Sequence, residues 1–173
     1  MKPESRREFV DAWGAMGAVW GINRSVARVH AYLMTSDDPV SLDEIAERLS
    51  ISKGNASMSL RELRAYGVVR HSQTPGDRRD FYVSEPDAWT MFFRILAERK
   101  KRELEPAVAA VHAVLEDADA KGPVRERLGQ IADLLASMES VARRLLDNPA
   151  AGRAALKLLA AVPRLPSRRP RSR

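Results

Sequence analysis

The residues from Ser52 to Arg64 gather side chains that can read or grip a polyanion. Ser52, Lys53, Asn55, Ser57, Met58, Arg61 and Arg64 fall within one short segment. Asparagine can bond an adenine edge, while lysine and arginine can meet phosphate or a guanine edge. Ser57 and Ser59 are small, which permits close approach of another surface. Further along, Asp77-Arg78-Arg79-Asp80 sets two guanidiniums between two carboxylates. A carboxylate orients a guanidinium, and an oriented arginine suits a narrow minor groove.

Other chemistries find no support. His30, His71 and His112 lie on separate elements without ligand spacing, so no metal is expected. The absence of cysteine excludes disulfides, thiol catalysis and cysteine-bound zinc. No nucleophile motif surrounds any serine or aspartate, so neither enzymatic activity nor a cofactor is expected. Trp13 and Trp20, one heptad apart, admit two readings: an effector-binding aromatic cage for a quaternary ammonium ion, or packing in the core or a dimer contact.

Elements must position these groups. The chain to about Trp13 reads as a short amphipathic helix that Gly14, Gly17 and Gly21 interrupt with a bend or a close helix contact. Val19, Ile22, Val26, Val29 and Leu33 then share one helical stripe, ending near Ser36. Ser41 and Glu44 form a capping box that starts a helix at Leu42, with Ile45, Ala46 and Leu49 inward. Ser52 caps the next helix, whose buried stripe is Ala56, Leu60 and Leu63 and whose stop is Gly67. Two helices joined by the Ser50-Ile51 turn predict a helix-turn-helix.

Beyond Gly67 the period changes to alternation. Val68 to His71 and Phe81 to Val83 read as strands around a turn at Thr74 to Arg78, a hairpin with a basic tip. Helices resume at Asp87, with a kink or a new start at Pro106. After the break at Gly122-Pro123, Val124, Leu128, Ile131, Leu135, Met138, Ala142 and Leu145 keep heptad spacing, the apolar seam of an antiparallel helical hairpin. Asn148-Pro149 ends that helix, and one last helix is expected from Ala150 to Val162.

The formal charge of +6 is less informative than its distribution. Arg164, Arg168, Arg169, Arg171 and Arg173 occupy the carboxy terminus, and the rest of the chain is nearly balanced. Residues 52 to 83 hold six basic against three acidic side chains, whereas residues 36 to 51 hold one against five. A helix-turn-helix followed directly by a basic hairpin is far more specific than either part alone, and it points to duplex DNA.

The run Leu60-Arg61-Glu62-Leu63 through Gly67-Val68-Val69, then Gly76-Asp77-Arg78-Arg79, resembles the winged-helix signature of the MarR superfamily. The fuller string SKGNASMSLRELRAYGVVRHSQTPGDRRDFYVSEPDAW, with ERKKRELEP downstream, is similar to the GbsR-like branch, and the resemblance spans residues 15 to 106. It implies a homodimer with a recognition helix at Ser52 to Tyr66, a wing at Val68 to Val83 and a pseudo-palindromic operator. It also implies that Asp77 and Arg79 steady the wing while an arginine reaches the minor groove. Some GbsR-like proteins repress osmoprotectant genes and respond to choline-type ligands. No motif in this chain defines the residues that would bind such a ligand.

The expected fold is mainly α: a winged helix-turn-helix with a small β-hairpin wing plus N- and C-terminal dimerisation helices. Residues 1–18 are read as an N-terminal helical arm making a dimer contact, 19–86 as the DNA-binding domain, 87–162 as a helical dimerisation region and 163–173 as a disordered Arg/Pro-rich tail. The expected function is that of a sequence-specific transcriptional repressor binding double-stranded DNA as a homodimer, either constitutive or responsive to a small-molecule effector of unspecified identity. A cytoplasmic location without membrane contact is expected. The rivals are a winged-helix protein-interaction module and a sequence-neutral architectural DNA binder driven by the tail.

Overall fold

A computed structural model describes residues 1–73, 77–116 and 121–161. The expected tip of the wing and the arginine-rich tail lie outside the described residues. Two compact units divide the chain, one spanning Met1–Arg99 and the other beginning at Lys100.

The first unit runs α1 (Pro3–Val19), α2 (Arg24–Met34), β1 (Val40–Ser41), α3 (Leu42–Leu49), α4 (Lys53–Ala65), β2 (Val69–Ser72), β3 (Phe81–Ser84) and α5 (Ala88–Arg99). The strands form an antiparallel sheet in the order β1-β3-β2. Its register pairs Val69 with Ser84 and Ser72 with Phe81 across the hairpin, and Val40 with Tyr82 on the other edge. Two-residue β1 was not foreseen, because so short a strand has no period of its own and exists only by pairing with β3.

The core lies where α2, α3 and α4 meet the sheet. Val26, Val29 and Leu33 of α2 pack with Ile45 and Leu49 of α3, Ala56, Leu60 and Leu63 of α4, and Val68, Val69 and Tyr82. Ile45 and Val29 are fully buried; sealing each such side chain from water stabilises the fold by about 1.5 to 3 kcal/mol. α1 and α5 belong to the same body. Val10 joins the core cluster, with Trp13, Met91 and Ile95 packed against it, so this unit extends at both ends beyond the 19–86 span expected of the DNA-binding domain.

The glycines of α1 do not interrupt it. The helix continues through Gly14 and Gly17 to Val19, and Gly17 is where it crosses α2: an added Cβ would lie 2.6 Å from Ala27 Cβ. Gly21, at φ 79°, makes the turn, and the amide of Ile22 donates to Gly17 O at 2.9 Å. Val19 consequently lies on α1, 85% exposed, and not on the α2 stripe. α2 begins instead behind Asn23, whose Oδ1 accepts from the amide of Ser25 at 2.8 Å.

The second unit contains a π-helical turn (Lys100–Leu104), α6 (Glu105–Glu116), α7 (Gly122–Asp147) and α8 (Pro149–Ala161). Pro106 follows directly on the π-helical turn, at the second residue of α6, and the donor that it lacks coincides with this change of helical hydrogen bonding. Lys100 Nζ binds Glu105 at 2.5 Å and Glu139 of α7 at 3.5 Å; the hydrogen bond to Glu105 chiefly raises the ammonium pKa. Gly122, at φ 60°, and Pro123 open α7, and Asn148 Oδ1 caps α8 by accepting from the amide of Ala151 at 3.0 Å. Leu128, Leu135 and Ala142 are the sheltered row of the α7 heptads, whereas Val124, Ile131 and Met138 are exposed.

Gly17→Ala tests the α1–α2 crossing. Helix propensity alone would favour Ala by up to about 1 kcal/mol, but overpacking against an immovable Cβ costs about 1 to 3 kcal/mol. The variant should lose stability, seen as a lower midpoint of urea unfolding, and an unchanged or higher midpoint would contradict the close approach.

Candidate nucleic-acid interface

α4 owes its start and its orientation to local chemistry. α3 ends at Ser50, which takes the left-handed conformation at φ 53° while Ile51 N donates back to Ala46 O at 3.0 Å. The chain turns sharply enough for Ser52 to cap α4, its Oγ accepting from the amide of Asn55 at 3.1 Å. At the other end Gly67, at φ 70°, stops the helix, and the amide of Val68 donates to Leu63 O at 3.1 Å. With Ala56, Leu60 and Leu63 turned inward, Gly54, Met58, Arg61 and Arg64 follow one another along the solvent side in steps of three and four. Met58 is 69% exposed, an unusual position for an apolar side chain on a polar face.

The remaining residues of the expected site are engaged within the protein. Ser52 is the exposed cap, and Ser57 is half-buried beside the outer face. Asn55 is exposed, but its Nδ2 donates to Ser25 Oγ of α2 at 3.2 Å, and its Oδ1 accepts from Ser59 at 3.4 Å. Ser59 is not an approach residue: three positions after Ala56, it falls on the buried side and is 2% exposed. Lys53 Nζ pairs with Asp43 of α3 at 2.7 Å, with both side chains more than half exposed. Such a surface pair is worth under about 1 kcal/mol and is easily exchanged for a phosphate.

The wing stands on β2 and β3. Asp77 grips Arg79 through two oxygens: Nη2 donates to Oδ2 at 2.6 Å, Nε donates to both oxygens at 3.0 and 3.1 Å, and the Arg79 amide donates to Oδ1 at 2.9 Å. These bonds hold the Asp77 carboxyl down at about 2 and raise the Arg79 guanidinium. Arg79 also lies over the Phe81 ring, 5.2 Å from its centre. Arg78 is exposed beside it. His71 Nε2 and Asp80 Oδ1 are 2.7 Å apart across the hairpin, and the amide of Leu42 donates to Asp80 O at 3.3 Å, tying wing to α3.

Asp43 pairs with Lys53 at the start of α4, while Arg79 in the wing answers chiefly to Asp77, the acids of α3 adding only a smaller attraction. At the far end of α4, the Arg64 charge is felt by Tyr82 of β3. Sequence reasoning missed the acids of α3 as parts of the site, since their partners are distant in sequence. It likewise missed Arg94, whose Nη1 donates to Gly67 O at 2.7 Å and to Glu85 at 2.6 Å and so pins α5 to the end of α4.

Trp13 and Trp20 border a separate cavity of about 260 Å³ among α1, α2, α4 and α5. Trp13 packs on Phe9 with ring centres 5.5 Å apart, while Trp20 is 63% exposed. Among the described residues no cluster of His, Cys, Asp or Glu could hold a metal ion, and no helix is long and apolar enough to cross a membrane.

A capped pair of helices at a tight left-handed turn, followed by a three-stranded sheet with an arginine-bearing hairpin, defines a winged helix-turn-helix protein. The family profile described as MarR family matches residues 20–80. The HTH-type transcriptional regulator MmpR5 of Mycobacterium tuberculosis is 30% identical over 135 residues, covering 78% of this chain and 80% of that protein. The HTH-type transcriptional repressor GbsR of Bacillus subtilis is 26% identical over 114 residues; the match covers 66% of this chain and 63% of GbsR's length. A crystal structure described as that of a transcriptional regulator superposes with a TM-score of 0.65 at 26% identity, covering 88% of this chain and 99% of that one. The chain belongs to the MarR family of transcriptional regulators.

The Asp77 carboxyl is depressed in the folded protein, so the stabilisation from its pairing is complete above the ordinary value of 3.8 and disappears as pH falls through about 2. A carbon-13 NMR titration of Asp77 should therefore show a midpoint near 2 that rises toward 3.8 in Arg79→Ala. An Asp77 midpoint that ignores the substitution would show that Arg79 does not hold it.

Proposed function

We propose that this chain is a sequence-specific repressor that binds a pseudo-palindromic operator in duplex DNA as a homodimer and is controlled by a small effector. The observation that carries the reading is the outer face of α4, where Met58, Arg61 and Arg64 lie exposed in steps of three, with Arg79 held by Asp77 on the wing of the same unit. Met58, Arg61 and Arg64 offer the outer face of α4 to a major groove, Met58 suiting a thymine methyl and Arg61 a guanine edge or a phosphate. Lys53 and Ser52 meet phosphate at the helix start. Arg79, held by Asp77, and Arg78 beside it suit the flanking minor groove. Asn55 contributes by fixing α4 on α2 unless DNA displaces Ser25 from its amide. The repressor sign follows the similarity to GbsR.

Dimerisation is supported by what the second unit leaves uncovered. From Lys100 onward, Ala142 is the only buried hydrophobic residue among the described ones, while Val124, Ile131, Leu134, Met138 and Val141 are 39 to 60% exposed at heptad spacing along α7. A second copy related by two-fold symmetry covers such rows. A homodimer would carry two recognition helices, one for each half of a pseudo-palindromic operator. Effector control is assigned to the cavity beside Trp13 and Trp20, since Leu63 and Tyr66 at the end of α4 form part of its wall.

Selection from a random duplex pool should enrich an inverted repeat. Enrichment without a motif would favour an architectural binder, and no recovery would favour a protein-interaction module. On the selected operator, Arg61→Ala should weaken binding by about 1 to 3 kcal/mol if Arg61 meets a base; unaltered affinity by fluorescence anisotropy would move the docking face elsewhere. In sedimentation at micromolar concentration the chain should show the dimer mass and Met138→Glu a monomer. A dimer that tolerates that charge would place the contact away from α7.

A further inference from the structure

Asp80 sets a negative charge on a surface that is to meet phosphates. Asp77, Arg78, Arg79 and Asp80 are consecutive, and Asp77 holds Arg79 two positions away. Arg78 and Asp80 have the same separation, which in extended chain puts two side chains on one side. An unengaged Asp80 carboxylate would therefore neutralise Arg78. His71 prevents this from the opposite strand: its Nε2 lies 2.7 Å from Asp80 Oδ1. Arg78 is exposed and has no ion-pair partner among the described residues.

Both members of the pair are held in place. The edge of the His71 ring meets Tyr82 with ring centres 5.6 Å apart, at 84°. The backbone carbonyl of Asp80 accepts from the amide of Leu42 at 3.3 Å. An ionised carboxylate only accepts, so the imidazole must present Nε2–H to it, and a further proton goes to Nδ1. The bond to Asp80 survives that step and becomes an ion pair.

We propose that His71 is a positioning residue of the wing: it occupies Asp80 and so leaves Arg78 to the operator backbone, and a proton taken up by its ring makes the wing more cationic. The inference rests on the DNA-binding reading and adds control of that surface by pH. Imidazole is the side chain that changes charge between about pH 5 and 8. The His71 side chain is 32% exposed, so water delivers the proton without opening the fold. Around the ring stand Asp80 and Tyr82 from the β3 side, Arg70 beside it on β2, and Arg64 of α4, whose charge reaches Tyr82. Burial chiefly raises the Tyr82 pKa above its ordinary 10.0, so the phenol stays neutral. Asp80 is the anion of this group, and a charged His71 cancels it.

The test measures the affinity of the full chain for its selected operator by fluorescence anisotropy, at constant ionic strength, from about pH 8 to about pH 6. Binding should tighten roughly two- to fivefold on acidification, the worth of one exposed charge contact. His71→Gln, which can still donate to Asp80 but cannot become charged, should match the unmodified protein at about pH 8 and keep that affinity at every pH. His71→Ala should bind roughly two- to fivefold more weakly at about pH 8, and adding Asp80→Asn should restore the loss. His112→Gln, in the second unit, should keep the unmodified slope. A flat profile in the unmodified protein, a slope that survives His71→Gln, or His71→Ala binding as tightly as the unmodified chain would overturn the proposal. Should His71→Ala damage the hairpin itself, Asp80→Asn will not rescue it, and the pH profile of His71→Gln decides. A chain that binds no duplex at any pH removes the DNA-binding reading together with this inference. Operator binding that Arg61→Ala weakens but pH leaves unchanged removes the inference alone.

Discussion

Burial of Ala56, Leu60 and Leu63 against α2, α3 and the sheet decides how α4 faces the solvent, and the other features of the first unit depend on it. A helix has one set of directions: once that stripe is sealed, Met58, Arg61 and Arg64 must point outward. Leu60 is 1% exposed and Ala56 not at all, so rotating the helix would expose apolar surface worth several kcal/mol. The same packing forces the tight turn at Ser50, since α3 must end abruptly for α4 to cross it.

Charge pairs act on a finer scale. Lys53 with Asp43 and Arg79 with Asp77 are surface pairs that add little to stability, but they set directions. Arg79 is held by a carboxylate two residues away and by the face of Phe81, so its guanidinium loses less freedom on meeting a partner. Asp43 restrains Lys53 at the start of α4.

The two units obey different economies of burial. Up to Arg99 the helices and sheet cover one another, and the unsatisfied features are local ones such as His30 Nε2. From Lys100 onward, α7 shelters one heptad row and leaves its neighbour in water. Apolar rows of that length left in water cost more than any isolated surface leucine.

The sequence by itself determined the helix-turn-helix, the hairpin and the identity of the cationic residues, because caps, stops and hydrophobic periods are local. Ser41, Ser52 and Gly67 each act within a few residues of themselves, and each does in the structure what its type dictates. The tertiary structure alone decided which of those residues are available. Asn55 is drawn to Ser25 thirty positions earlier, Ser59 falls behind the helix, and Gly17 proves to be a crossing point within a helix that its glycines seemed to break. The lone imidazole of His30 beside an apolar cavity was equally hidden. Its character comes from side chains of four helices, and no periodicity along one strand of sequence reports what converges from the others.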